Sequence, residues 1–73
     1  MRVRITEISI YDPLHQFRSD VIGQTGTIPD TGHPELHGWV SIILSLDEPI
    51  FLLSIGKYVD ELSFFRCRYD EIL

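Results

Sequence analysis

Two glycines three residues apart, Gly23 and Gly26 within Asp20-Val21-Ile22-Gly23-Gln24-Thr25-Gly26-Thr27-Ile28, constrain this chain more than any other feature. An apolar pair precedes them and a β-branched run follows. Glycine reaches positive φ without steric cost, so the Gly-x-x-Gly reads as a tight structural turn that feeds a short strand from Thr25 to Ile28. A fold organised around such turns is built of strands, and 73 residues leave room for one domain, 1–73. A hydrophobic fraction of 44% is enough for that domain to pack.

The rest of the chain reads as strands as well. Arg2-Val3-Arg4-Ile5 alternates polar and apolar, and the apolar set then moves to Ile8 and Ile10. That change of parity requires a bulge or bend, because side chains on a strand alternate with a period of two. Tyr11-Asp12-Pro13 ends this strand, and Leu14 to Asp20 reads as a polar connection. Pro29 to Pro34 is a loop. Gly38 to Leu46 is the clearest strand, with Val40, Ile42, Leu44 and Leu46 on one face and Trp39, Ser41, Ile43 and Ser45 on the other. Asp47-Glu48-Pro49 reads as a turn, and Ile50 to Ile55 as a buried central strand. Gly56 to Leu62 lacks alternation and suits a helical or 3₁₀ turn. Ser63 to Tyr69 alternates again, with Phe65, Cys67 and Tyr69 inward against Phe64, Arg66 and Arg68.

Gly23, Gly26 and Ile28 fill the Gly-x-x-Gly-x-aliphatic step into the second strand, and the segment resembles the signature of KOW-type, SH3-like small barrels. The expected fold is therefore all-β, a five-stranded SH3-like barrel with a helical or 3₁₀ turn before the last strand. An open five-stranded antiparallel sheet is the alternative. The Met-Arg-Val-Arg-Ile start, the Val-Ile-Gly-Gln-Thr-Gly-Thr-Ile centre and the closing Lys-Tyr-Val-Asp-Glu-Leu turn are similar in layout to small stand-alone bacteriophage proteins of this class. The resemblance implies a protein- or RNA-holding role in transcription or translation machinery.

Composition narrows the function further. Six basic against eleven acidic residues give a net charge of −5, which repels nucleic acid and anionic membranes unless basic residues cluster. The apolar stretch from Trp39 to Ile55 is broken at Asp47-Glu48-Pro49, too soon for a membrane helix. Without a leader-like start, the chain is expected in the cytoplasm. A single cysteine, Cys67, excludes an intrachain disulfide and a cysteine-based zinc site. Placed between Phe65 and Tyr69, Cys67 reads as an inert buried thiol. Asp30, His33, Glu35 and His37 resemble a metal-ligand set, but Pro34 breaks the spacing and the segment reads as a solvated loop. No catalytic residue, metal or cofactor is expected.

The arginines carry the functional reading. In an SH3-like barrel the first and last strands are neighbours, which would gather Arg2, Arg4, Arg66 and Arg68 on one patch edged by Phe64 and Tyr11. Guanidinium groups beside aromatics suit an acidic protein surface or phosphates and bases. Ordinary surface pairing with Glu7, Glu61 and Asp70 is the plainer alternative. Trp39, on the outer face of the strand from Gly38 to Leu46 with Ile43, is read as partly buried core; if exposed, it would anchor a binding surface. The expectation is a non-enzymatic, protein-binding module, monomeric or a weak homodimer. Its partner would be a larger protein, with bacterial RNA polymerase and phage-type control of host transcription as the setting. A nucleic-acid-binding protein using the arginine patch, or a structural subunit of a larger assembly, are the alternatives.

Overall fold

Backbone pairing explains where the core lies. The computed structural model describes residues 1–29 and 38–72, and the backbone of 35–36. β1 (Arg2–Ile8) leads into a 3₁₀ turn (Pro13–Phe17) and a one-turn helix α1 (Arg18–Val21). β2 (Thr25–Thr27), β3 (Glu35–Leu36), β4 (Trp39–Leu52) and β5 (Lys57–Glu71) follow. The sheet order is β2-β1-β5-β4-β3, and β2 also pairs with β4. Four antiparallel strands thus close into a barrel, with β3 attached outside the closure at Val40 and Trp39 of β4. The all-β barrel matches expectation, but the closed ring has four strands, not five.

β1 buries Val3, Ile5 and Ile8, and the parity change is a one-residue bulge between Ile5 and Glu7 against β5. Both glycines serve the closure. Gly23 sits at φ +93° and donates its N–H to the Ile5 carbonyl at 2.8 Å, turning α1 back toward β1. Gly26 lies in β2 between Val3 and Leu46. A Cβ there would sit 2.9 Å from the Ser45 carbonyl carbon and 3.0 Å from Leu44 Cδ1. At Gly26 the β2 backbone therefore approaches β4 so closely that only glycine fits.

Val3, Ile5, Ile8, Val21, Ile28, Ile42, Leu44, Leu62, Phe64 and Cys67 form one buried cluster inside the barrel. Leu14 and Phe17 from the 3₁₀ turn pack against it.

Several sequence expectations are corrected by bulges. Asp47-Glu48-Pro49 is not a turn: β4 continues through it, carrying three extra residues between the Ser45–Glu61 and Ile50–Val59 pairs. Proline is tolerated there because a bulge frees it from the ladder. Ile50 to Ile55 is not a buried central strand but half of a hairpin with β5, in which Leu52 is buried while Phe51 is 45% and Leu53, in the turn, 83% exposed. Lys57 to Leu62 is strand, not a helical turn, since the reversal is completed by Leu53–Gly56 with Gly56 at φ +67°. The helical residues lie instead at Pro13–Val21, where Asp12 caps and Pro13 starts the 3₁₀ turn. Finally, one extra residue in β5 between the Ile42–Phe64 and Val40–Cys67 pairs reverses the facing of the two phenylalanines. Phe64 is core at 1% exposed and Phe65 points out.

Candidate functional site

The β5 bulge is held by a carboxylate from the other end of the sequence. Asp12 is 3% exposed, and its Oδ2 accepts the N–H groups of Phe65 and Arg66, each at 2.9 Å. Its Oδ1 accepts the Leu14 N–H at 2.9 Å and so caps the 3₁₀ turn. Ser9 completes the attachment: its N–H donates to the Arg66 carbonyl at 3.0 Å, and its Oγ accepts the Tyr11 N–H at 3.2 Å. Two bulge amides and a chain reversal are thus satisfied by one buried ion, as buried polar groups require.

The consequence is an apolar corner facing solvent. Ile10 and Tyr11 of the reversal and Phe65 of the bulge are 71%, 77% and 64% exposed. The Arg66 guanidinium carbon lies 5.9 Å from the Tyr11 ring centroid, within cation–π range. Arg66 has no carboxylate partner among the described residues.

The other arginines are distributed differently from the expected patch. β1 and β5 do pair antiparallel, but the register interleaves acids: Arg4 lies opposite Asp70 and Glu7 opposite Arg68. Arg2 bonds Asp47 at 2.6 Å, and Thr25 donates its hydroxyl to the same carboxylate at 2.6 Å. Those contacts, the Thr25 hydroxyl foremost, hold the Asp47 carboxyl below its ordinary range. Arg68 donates to Glu7 at 3.1 Å and to the Gly38 carbonyl at 3.2 Å, and its guanidinium carbon sits 4.3 Å from the Trp39 ring centroid. Trp39 is half-buried beneath it, beside a shallow depression of about 350 Å³ lined by Thr6, Gly38, Val40, Arg68, Tyr69 and Asp70. Arg2 and Arg68 therefore work as clamps between strands.

Phe64, expected to edge the patch, is buried, whereas its neighbour Phe65 is exposed. Burial, and secondarily the Asp12 charge, push the Cys67 thiol up to about 12, which holds it as a protonated thiol at neutral pH. Of the metal-like set, Asp30, His33 and His37 lie outside the described residues, as does the side chain of Glu35. No helix among the described residues is long and apolar enough to cross a membrane.

Sequence reasoning missed Asp12 and Phe65. An Asp-Pro step directly after a strand, and two adjacent phenylalanines in an alternating run, were the available signals. Comparison with protein-family models, with curated proteins and with solved structures finds no match to this chain.

Proposed function

We propose that this protein is a non-enzymatic protein-binding module whose contact surface is the Ile10–Tyr11–Phe65–Arg66 corner. The observation that carries this reading is an exposed aromatic and arginine cluster on backbone locked by a buried aspartate. At roughly 200 Å² for a large side chain, the exposed parts of Ile10, Tyr11 and Phe65 amount to on the order of 400 Å². That is the scale of the largest patch on an ordinary monomer, which is often functional. Tyrosine and arginine dominate interface hot spots, and a preformed backbone lowers the ordering cost of binding.

The resemblance to KOW-type, SH3-like barrels and to small bacteriophage proteins supplies the setting: control of host transcription, with bacterial RNA polymerase as the partner. Supporting an SH3-like reading of the barrel are the antiparallel pairing of first and last strands and the Gly-x-x-Gly entry to β2. Nucleic acid is the less favoured partner, because Arg2 and Arg68 are engaged by carboxylates on a chain of net charge −5.

The test is a titration of the pure protein against bacterial RNA polymerase, single-stranded RNA and duplex DNA at two salt concentrations. The reading expects binding to the polymerase, weakened about 30-fold or more by Phe65→Ala or Arg66→Ala in proportion to a hot-spot loss. Tight, steeply salt-dependent binding to a nucleic acid alone would overturn it.

A further inference from the structure

The hairpin formed by the second half of β4 and the first half of β5 has two edges without a further strand partner, and they are built differently. Beyond the β4 bulge the two strands pair only with each other, with Ile50 opposite Val59, Phe51 opposite Tyr58 and Leu52 opposite Lys57. The β1 ladder ends at Cys67 of β5, and β2 meets β4 only at Ser45 and Leu46. Among the described residues, Asp47–Leu52 and Lys57–Leu62 therefore each lack a second strand neighbour.

The β4 edge is guarded. Pro49 has no N–H to offer, Asp47 and Glu48 precede it, and Asp47 is tied to Arg2 and Thr25. Proline, charge and a bulge are the devices by which natural edges avoid pairing. The β5 edge, Lys57-Tyr58-Val59-Asp60-Glu61-Leu62, has none of the proline or bulge protection. Lys57, Tyr58, Asp60 and Glu61 are exposed along it, and Tyr58 packs its ring at 5.1 Å from that of Phe51.

The charges on this edge are self-complementary in one register. Alternate residues of an antiparallel strand turn their backbone groups to the same side, so pairing the edge with a second copy of itself must place one residue opposite itself on the two-fold axis. With Val59 on the axis, Lys57 of each copy faces Glu61 of the other, and Tyr58 faces Asp60. Moving the axis to Asp60 sets like charges directly opposite, which is destabilising. With the axis at Tyr58, Lys57 faces Val59 and no opposite charges meet. The geometry points to a two-fold homodimer formed by β5 against β5 about Val59.

The five paired residues span about 17 Å. Such a contact falls short of the roughly 1,600 Å² of a standard stable interface, so the dimer is weak, with a Kd on the order of 100 μM. The net charge of −5 on each copy opposes association, but repulsion between distant charges is screened beyond about 8 Å at physiological salt.

Sedimentation equilibrium on the full chain from about 10 μM to 1 mM tests this, since that range spans the expected Kd. The wild type should move from near the monomer mass toward twice that mass. Lys57→Glu and Glu61→Lys should each weaken the dimer about ten- to thirtyfold, by turning two attractive cross-strand pairs into repulsive ones. An equimolar mixture of the two variants should regain the wild-type association, because each reversed charge then meets its opposite. Circular dichroism of each variant checks that the barrel is intact. A wild type that stays monomeric throughout, a dimer indifferent to either reversal, or a mixture that stays monomeric overturns the proposal. The Ile10–Phe65 corner takes no part in this pairing, so the result leaves the protein-binding reading to its own test.

Discussion

Replacing Asp12 by alanine should be among the most damaging single changes to this barrel. The carboxylate accepts three backbone N–H groups, from Leu14, Phe65 and Arg66, each at 2.9 Å. Hydrogen bonds to a charged group are worth about 1.5–3 kcal/mol each, and a donor left unsatisfied in a buried place costs a similar amount. Phe65 and Arg66 are exposed, so water can reach their freed amides and the total falls well below the sum. We expect a loss of about 3 kcal/mol. A domain of this length has roughly 4–11 kcal/mol in all, so the loss is a large share of it. At about 4–8 °C per kcal/mol the melting temperature should drop by roughly 12–24 °C. Asp12→Asn keeps one acceptor oxygen but turns an amide NH₂ toward N–H donors, so it should lose about 2 kcal/mol despite its matched shape. Urea unfolding followed by far-ultraviolet circular dichroism reads both variants on one scale. If Asp12→Ala unfolds within about 0.5 kcal/mol of the wild type, the span of an ordinary surface change, the role assigned to this carboxylate is wrong.

Gly26→Ala should cost about 3 kcal/mol or prevent folding, since the added methyl meets the Ser45 backbone, whereas Gly23→Ala, strained only by its φ of +93°, should cost about 1 kcal/mol; equal melting temperatures would contradict this. Cys67 should resist an aromatic disulfide reagent at pH 8 until the protein unfolds, and prompt labelling of the native protein would refute its burial. Its folded pKa of about 12 lies above the ordinary 9.0, so the folded state holds a proton that the unfolded state releases between those values; stability is full below pH 9 and declines above it, and Cys67→Ala should flatten that decline in alkaline melts. For Asp47 the sign is opposite. Its folded pKa lies below 3.8, so the stability it adds is present above that pH and lost as pH falls through the folded value; the gap in melting temperature between wild type and Asp47→Asn should therefore close in acid, and a gap independent of pH would contradict the Arg2 and Thr25 contacts.

Much of the barrel could be read from local pattern. The parity change after Ile5 announced a bulge, and the alternation through Val40, Ile42 and Leu44 identified an inward face; both are set by neighbours along one strand. The β4 bulge was not legible, because Asp47-Glu48-Pro49 has the composition of a turn and only the continued pairing of Ile50 with Val59 shows that the strand goes on. Phe64 and Phe65 exchanged faces for a similar reason. Their facing depends on a bulge fixed by Asp12, 53 residues away from Phe65, and strand alternation carries no trace of that bond. The first-to-last strand pairing that the arginine patch required is present, but which acid stands opposite which arginine follows from the ladder alone.

The corner that this long-range bond creates carries side chains suited to hydroxyl-radical footprinting, which reads the solvent access of aromatic rings directly. In the proposed complex with bacterial RNA polymerase, oxidation of Tyr11 and Phe65 should fall several-fold, with Trp39, already covered by Arg68, unchanged. Tyr11 and Phe65 oxidised as readily in the complex as in the free protein would contradict the claim that this corner is the binding surface.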